Sequence, residues 1–168
     1  IEPEESIQLK RTDTSLPGLS SELMSLIGTT LKRLTPSVAL VHGDTSSAAM
    51  GALAASFLQI PVGHVEAGLR SGRIDEPFPE EINRSLIGRV SQWHFAPTTQ
   101  AESNLRRENV PGNISVVGNT VVDAVQYAAH FVRQQRQQGT PIANPDYQWF
   151  AESGCSKLIL VTAHRREN

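Results

Sequence analysis

Four polar clusters, three of them following a short apolar run, hold the side chains of this chain that can do chemistry. His42-Gly43-Asp44-Thr45 follows Val38-Ala39-Leu40-Val41, and His64-Val65-Glu66-Ala67-Gly68-Leu69-Arg70 follows Pro61-Val62-Gly63. Pro77-Phe78-Pro79-Glu80-Glu81-Ile82-Asn83-Arg84 comes soon after, and His164-Arg165-Arg166 closes the run that ends at Thr162. Ligands in open α/β sheets bind outside the carboxyl ends of the strands, so polar groups stacked there mark a site. Asp44 can bind a sugar hydroxyl or act as a base; it can equally cap the next helix, with Thr45 as the rival cap. Glu66 ends the next strand and is expected to face the same crevice. Glu80 and Glu81 are consecutive, so on a helix they point about 100° apart. One can face a site while the other faces solvent or Arg84, and the spacing of Glu80 and Arg84 allows an i,i+4 ion pair. His164 suits acid–base work near neutrality. Arg165 and Arg166 suit phosphates, and two arginines at a helix start are unfavourable without an anion.

The elements that must position these groups follow from periodicity. Ser6 to Leu9 can form a short strand, and Leu16-Pro17-Gly18 reads as a turn. Ser20 or Ser21 then caps a helix that carries Leu23, Leu26, Ile27, Thr30, Leu31 and Leu34 at helical spacing up to Pro36. Ser37 to Val41 is a buried strand. Ala48 to Leu58 is a helix apolar all round, which implies packing between layers. Val62 to Val65 is the next strand, Pro79 to Val90 a helix with its acids at the positive end, and Trp93 to Ala96 a strand. Thr98 or Thr99 caps a helix to about Glu108, Ile114 to Val117 is a strand, and Val121 to Gln138 a helix. Gly139 to Pro145 reads as a linker, Tyr147 to Glu152 as a short helix and Lys157 to Thr162 as a strand. Strand and helix alternate with short connections, the pattern of a parallel Rossmann-like sheet with flanking helices. The expected division is a partial N-terminal domain over 1–140, a linker over 141–156 and the start of a second domain over 157–168.

Composition narrows the classes. With 39% hydrophobic and 19% charged residues the chain reads as a globular domain, and a net charge of −2 points to neither nucleic acid nor an anionic membrane. No apolar run approaches the roughly 20 residues that span a bilayer, and no stretch reads as a signal peptide. The single cysteine, Cys155, excludes an internal disulfide framework and fits a reducing compartment. Neither a Gly-x-Gly-x-x-Gly fingerprint nor a phosphate-binding loop is present. His42 and His64 lack a third ligand at metal spacing, so neither metal nor cofactor is expected.

Taken together, VHGDTSSA, PVGHVEAGLRSG, PFPEEINR, HFAPT, VVGNTVVDA and VTAHRREN resemble the non-hydrolysing UDP-N-acetylglucosamine 2-epimerases over about Ser37 to Asn168. The resemblance implies a GT-B architecture, two Rossmann-like domains with a UDP-sugar in the cleft. It implies interconversion of UDP-GlcNAc and UDP-ManNAc by anti elimination of UDP through 2-acetamidoglucal and re-addition, in the cytoplasm, for bacterial surface polysaccharides. By motif position Asp44, Glu66 and Glu80 match the family's catalytic acids, and His164 matches a histidine near the leaving diphosphate. Arg84 matches an arginine that supports the site, His42 a substrate-binding position, and Glu81 and Arg165 positions linked to a second, regulatory UDP-GlcNAc. A homodimer is implied for the full-length protein. Which acid takes the proton and which returns it stays open.

The family's opening Gly-Thr-Arg-Pro-Glu segment and most of its second domain are not in this sequence. The expectation is therefore a piece of a longer enzyme, inactive alone. Three other readings remain: a hydrolysing epimerase that releases ManNAc and UDP, a GT-B glycosyltransferase, and a non-catalytic structural or oligomer-forming fragment.

Overall fold

The computed structural model describes residue 3 and residues 5–139, 152–157, 159 and 161. It divides into two compact units, residues 1–120 and 121–168. The expected linker beyond Gly139, the helix from Tyr147 and the strand from Lys157 fall wholly or largely outside the described residues, as do His164 and Arg165.

In the first unit, helix α1 spans Leu16–Leu34, β1 Ala39–His42, α2 Ser46–Phe57, β2 Val62–Val65, α3 Glu80–Val90, β3 Trp93–Ala96, α4 Thr99–Arg107 and β4 Asn113–Val116. Helix α5, Thr120–Gln137, starts at the last residue of the first unit, and the rest of it lies in the second. The four strands are parallel in the order β1-β2-β3-β4. This is the Rossmann-like sheet that the alternating pattern predicts.

Two expectations near the N-terminus are corrected. Residues 6–9 form no strand. Helix α1 begins at Leu16, so Leu16-Pro17-Gly18 is its first turn. The reason is local: the Ser15 hydroxyl accepts the Gly18 N–H at 3.1 Å, and proline is tolerated in a first turn because its missing N–H has no intrahelical partner there.

Register decides which side chains meet. Ala39 lies opposite Val62, and His64 lies between Val41 and His94. These residues share the face covered by helices. There Ala48, Ala49, Ala52 and Ala55 of α2 pack with Val62 and with Ile87 of α3, while Ala101 and Leu105 of α4 pack with Ala96. The alanines let α2 sit close between α1 and α3, as its all-round apolar sequence implies. The other face carries Leu40, Gly63 and Phe95, with Gly63 leaving the room that their side chains fill.

Two histidines lie fully inside the helix-covered face. His64 and His94 are 1% and 0% exposed, and their rings donate from Nε2 to the carbonyls of Gly43 and Pro111, both at 2.8 Å. Burial pushes His64 down to about 4 against the pull of its Gly43 hydrogen bond, and burial lowers His94 as well. Both folded values lie below the unfolded value near 6.5. Stability is therefore complete above pH 6.5 and is lost as pH falls, because the unfolded chain takes up the protons first. Denaturant titrations between about pH 6.5 and 5, above the carboxylate range, should show a loss approaching 1.4 kcal/mol per pH unit from His64, with His94 adding to it in the same direction. His64→Gln should flatten that slope; a pH-independent midpoint over this window in the unsubstituted protein would contradict the assignment.

Candidate active site

The site is built on the carboxyl ends of β1 and β2. At the end of β1 the chain turns at Gly43, whose φ of +71° is the left-handed region that glycine adopts without cost. Thr45 caps α2, its hydroxyl accepting the Ala48 N–H at 3.1 Å. That answers the question the sequence leaves open: the cap is Thr45, so the Asp44 carboxylate is available for other work.

That carboxylate is held by Arg84 of α3. Asp44 Oδ2 accepts from Arg84 Nη2 at 2.6 Å and from Nε at 2.9 Å. The same guanidinium donates through Nη1 to Glu81 at 2.8 Å. Glu81 is buried, 4% exposed, and also accepts the Ser71 N–H. Burial works against the charge on Arg84, but the hydrogen bonds to Glu81 and Asp44 outweigh it, so its pKa is raised. The Asn83 side chain donates to the Asp44 carbonyl at 2.8 Å. The i,i+4 pairing with Glu80 expected from spacing is thus replaced by an i,i+3 pair with Glu81, because Arg84 turns toward the rim where Asp44 waits. Glu80 is half-buried at the start of α3, and its carboxylate has no ion pair or hydrogen bond among the described residues.

Glu66 follows β2 with φ at +67°, a conformation costly for a side-chain-bearing residue. Its carboxylate lies 3.7 Å from Nε2 of His42 and accepts from the Asn119 amide at 3.1 Å. It also lies 3.5 Å from where a Cβ on Gly43 would stand, so the turn carrying Asp44 and the Glu66 side chain touch. The loop after Glu66 is clamped from outside: Arg70 makes two bonds to the Glu108 carboxylate, at 2.6 and 2.7 Å. Asn104 donates to the Gly68 carbonyl at 3.0 Å.

The structure therefore brings Asp44, Glu81 and Arg84 into one ion-paired cluster, and His42 and Glu66 into a neighbouring one. Among the described residues, His/Cys/Asp/Glu groups suited to a metal are not found. Asn83, Ser71, Asn119 and the Arg70–Glu108 clamp were not picked out from sequence. Their partners lie far along the chain and leave no local signal; the Asn that sits between Glu81 and Arg84 was the only visible hint.

A parallel sheet with helices packed on it and acids at the carboxyl ends of adjacent strands defines a Rossmann-like protein with a ligand site at the strand ends. Comparison with known proteins makes this specific. The chain belongs to the UDP-N-acetylglucosamine 2-epimerase family, whose model matches residues 1–168. It is 37% identical over 174 residues to the UDP-N-acetylglucosamine 2-epimerase of Neisseria meningitidis, covering 100% of this chain and 44% of that protein. The crystal structure of the Neisseria meningitidis UDP-GlcNAc 2-epimerase bound to UDP-GlcNAc superposes with a TM-score of 0.76 at 36% identity, covering 86% of this chain and 41% of the other. The Methanocaldococcus jannaschii UDP-GlcNAc 2-epimerase in complex with UDP-GlcNAc and UDP gives 0.74 at 37% identity, covering 90% and 39%. These neighbours have the GT-B architecture. The chain spans less than half the length of the relatives it matches.

Arg84 neutralises two carboxylates, one of them buried, so removing it leaves uncompensated charge. Arg84→Met should cost about 2–3 kcal/mol in urea unfolding at neutral pH, whereas Glu80→Gln should stay within about 0.5 kcal/mol. Equal effects from the two substitutions would show that the cluster does not hold the rim.

Proposed function

We propose that the whole protein is a UDP-N-acetylglucosamine 2-epimerase that interconverts UDP-GlcNAc and UDP-ManNAc. The observation that carries this reading is the acidic rim, Asp44 and Glu66 at adjacent strand ends with Glu80 and Glu81 opening α3, in a chain of this family. UDP-GlcNAc is present in the related Neisseria structure, and UDP-GlcNAc with UDP in the Methanocaldococcus structure, which supports a UDP-sugar as substrate.

The chemistry asks for several acids. The proton on C2 of the sugar is weakly acidic, so a carboxylate must be held against it. Taking that proton, forming the C1–C2 double bond and breaking the bond from C1 to the diphosphate oxygen gives 2-acetamidoglucal and UDP. Returning a proton to the opposite face of C2 while the UDP oxygen re-forms its bond to C1 completes the epimerisation. We assign the proton transfers to Asp44, Glu66 and Glu80, with Arg84 and Glu81 holding Asp44 in place and His42 binding substrate beside Glu66. His164 and Arg165, outside the described residues, are assigned to the diphosphate and to a second, regulatory UDP-GlcNAc, with Glu81 also near that molecule. The departing UDP needs such cationic support. No metal or other cofactor enters the scheme. The same reading makes the whole protein a cytoplasmic homodimer that supplies UDP-ManNAc for surface polysaccharide. Among the described residues, no helix is long and apolar enough to cross a membrane.

The test is NMR of the whole protein with UDP-GlcNAc in deuterated water. The expected products are UDP-ManNAc and deuterium at C2. Free ManNAc with UDP would establish the hydrolysing reaction instead, and an unchanged substrate would refute both. Glu80→Gln should lose about 100-fold or more in turnover while calorimetry shows UDP-GlcNAc binding little changed. The 168-residue chain alone should give no product.

A further inference from the structure

We infer that His64, a core residue of β2, is a positioning residue for Asp44. The inference rests on the reading of Asp44 as a working acid. His64 and His94 are register partners on adjacent strands, equally buried, and each donates one ring N–H to a backbone carbonyl at 2.8 Å. What differs is where those carbonyls lie. The acceptor of His94 is Pro111, in the connection entering β4 at the amino-terminal edge of the sheet. The acceptor of His64 is Gly43, the residue that turns the chain directly into Asp44.

A carbonyl can only accept, so Nε2 of His64 carries the proton, and Nδ1 is left buried without a partner, as is Nδ1 of His94. A leucine would fill this core position without an orphaned nitrogen, and buried polar atoms without partners are uncommon in folded proteins. The ring is therefore retained at a cost, and its single donated bond is what it contributes. That bond completes the restraint of one short turn. The Gly43 N–H donates to the Val65 carbonyl at 3.0 Å, the Gly43 carbonyl accepts from His64, the Asp44 carbonyl accepts from Asn83 at 2.8 Å, and Thr45 accepts from Ala48. Of these, the His64 bond alone ties the turn to the packed interior of the sheet through a side chain of β2. Glycine at position 43 has no side chain of its own to define the peptide plane, so an external restraint on its carbonyl sets the direction in which Asp44 leaves the turn. Small displacements of a reacting group are costly: about 1 Å can cost 10²-fold in rate.

His94 supplies the matched control. In the whole protein, His64→Leu should lower kcat for UDP-GlcNAc epimerisation about 30-fold with KM within about threefold of wild type. His94→Leu, of the same volume and burial, should leave kcat within about threefold. His64→Gln keeps a donor near the Nε2 position and should recover most of the loss. Should the leucine variants fail to fold, His64→Asn and His94→Asn serve instead, since the shorter amide cannot reach either carbonyl. Equal losses at the two positions, or a His64→Leu kcat within threefold of wild type, would overturn the proposal. Amide exchange at Ala48 and Ala49, the N–H groups held by the Thr45 hydroxyl and carbonyl, reads the turn without turnover. It should speed up at least about tenfold more in His64→Leu than in His94→Leu, and identical exchange would overturn the proposal. A wild-type protein that does not epimerise would refute the functional reading, and the exchange measurement would still decide the role of His64.

Discussion

The rim depends on one guanidinium shared between two carboxylates. Arg84 reaches back from α3 to Asp44 at the end of β1 and sideways to Glu81 in its own first turn. Acids crowded at strand ends repel one another, and a buried carboxylate without a partner is expensive. A planar donor fork lets one cation satisfy both at once, which a lysine cannot do with the same geometry. Through Arg84 and Asn83 the start of α3 is fastened to β1, although the two elements are separated in the chain by all of α2 and β2. The long connection between β2 and α3 is held near its start, where Arg70 grips Glu108 and the Ser71 amide meets Glu81.

Two similar tripeptides at the strand ends acquire different roles through register. His42-Gly43-Asp44 and His64-Val65-Glu66 look alike in the sequence, yet the strand residue opposite His64 is Val41, and the one opposite His42 is Val65. Neighbours offset by one residue point to opposite faces of a sheet. His42 therefore stands exposed beside Glu66, while His64 sits in the core. The same offset leaves one ring open to a ligand and turns the other into part of the scaffold.

Much of the fold was legible because its signals are local. Thr45 and Thr98 announce helices by side-chain caps, and β3 occupies the span its apolar run implies. Asp44, Glu66, Arg84 and the Glu80-Glu81 pair could be picked out because each sits next to a strand or helix end. What could not be read was partnership. Arg84 lies within reach of either glutamate on a helix, and only the position of Asp44, 40 residues away, selects Glu81. Arg70 and Glu108 meet across 38 residues with no pattern joining them. The start of α1 was missed because a proline and a glycine in succession look like a turn, and the Ser15 cap that makes them helical weighs only as one hydrogen bond.

On the proposed chemistry, the backbone at Glu66 places folding and chemistry in opposition. A left-handed φ of +67° favours glycine, with asparagine and aspartate next, so the residue that would make the β2 turn most comfortable is one with no acid to offer. A lineage released from the need for a carboxylate here would gain stability by losing it. On the proposed chemistry, glutamate at this position is kept at a conformational cost that glycine would not carry.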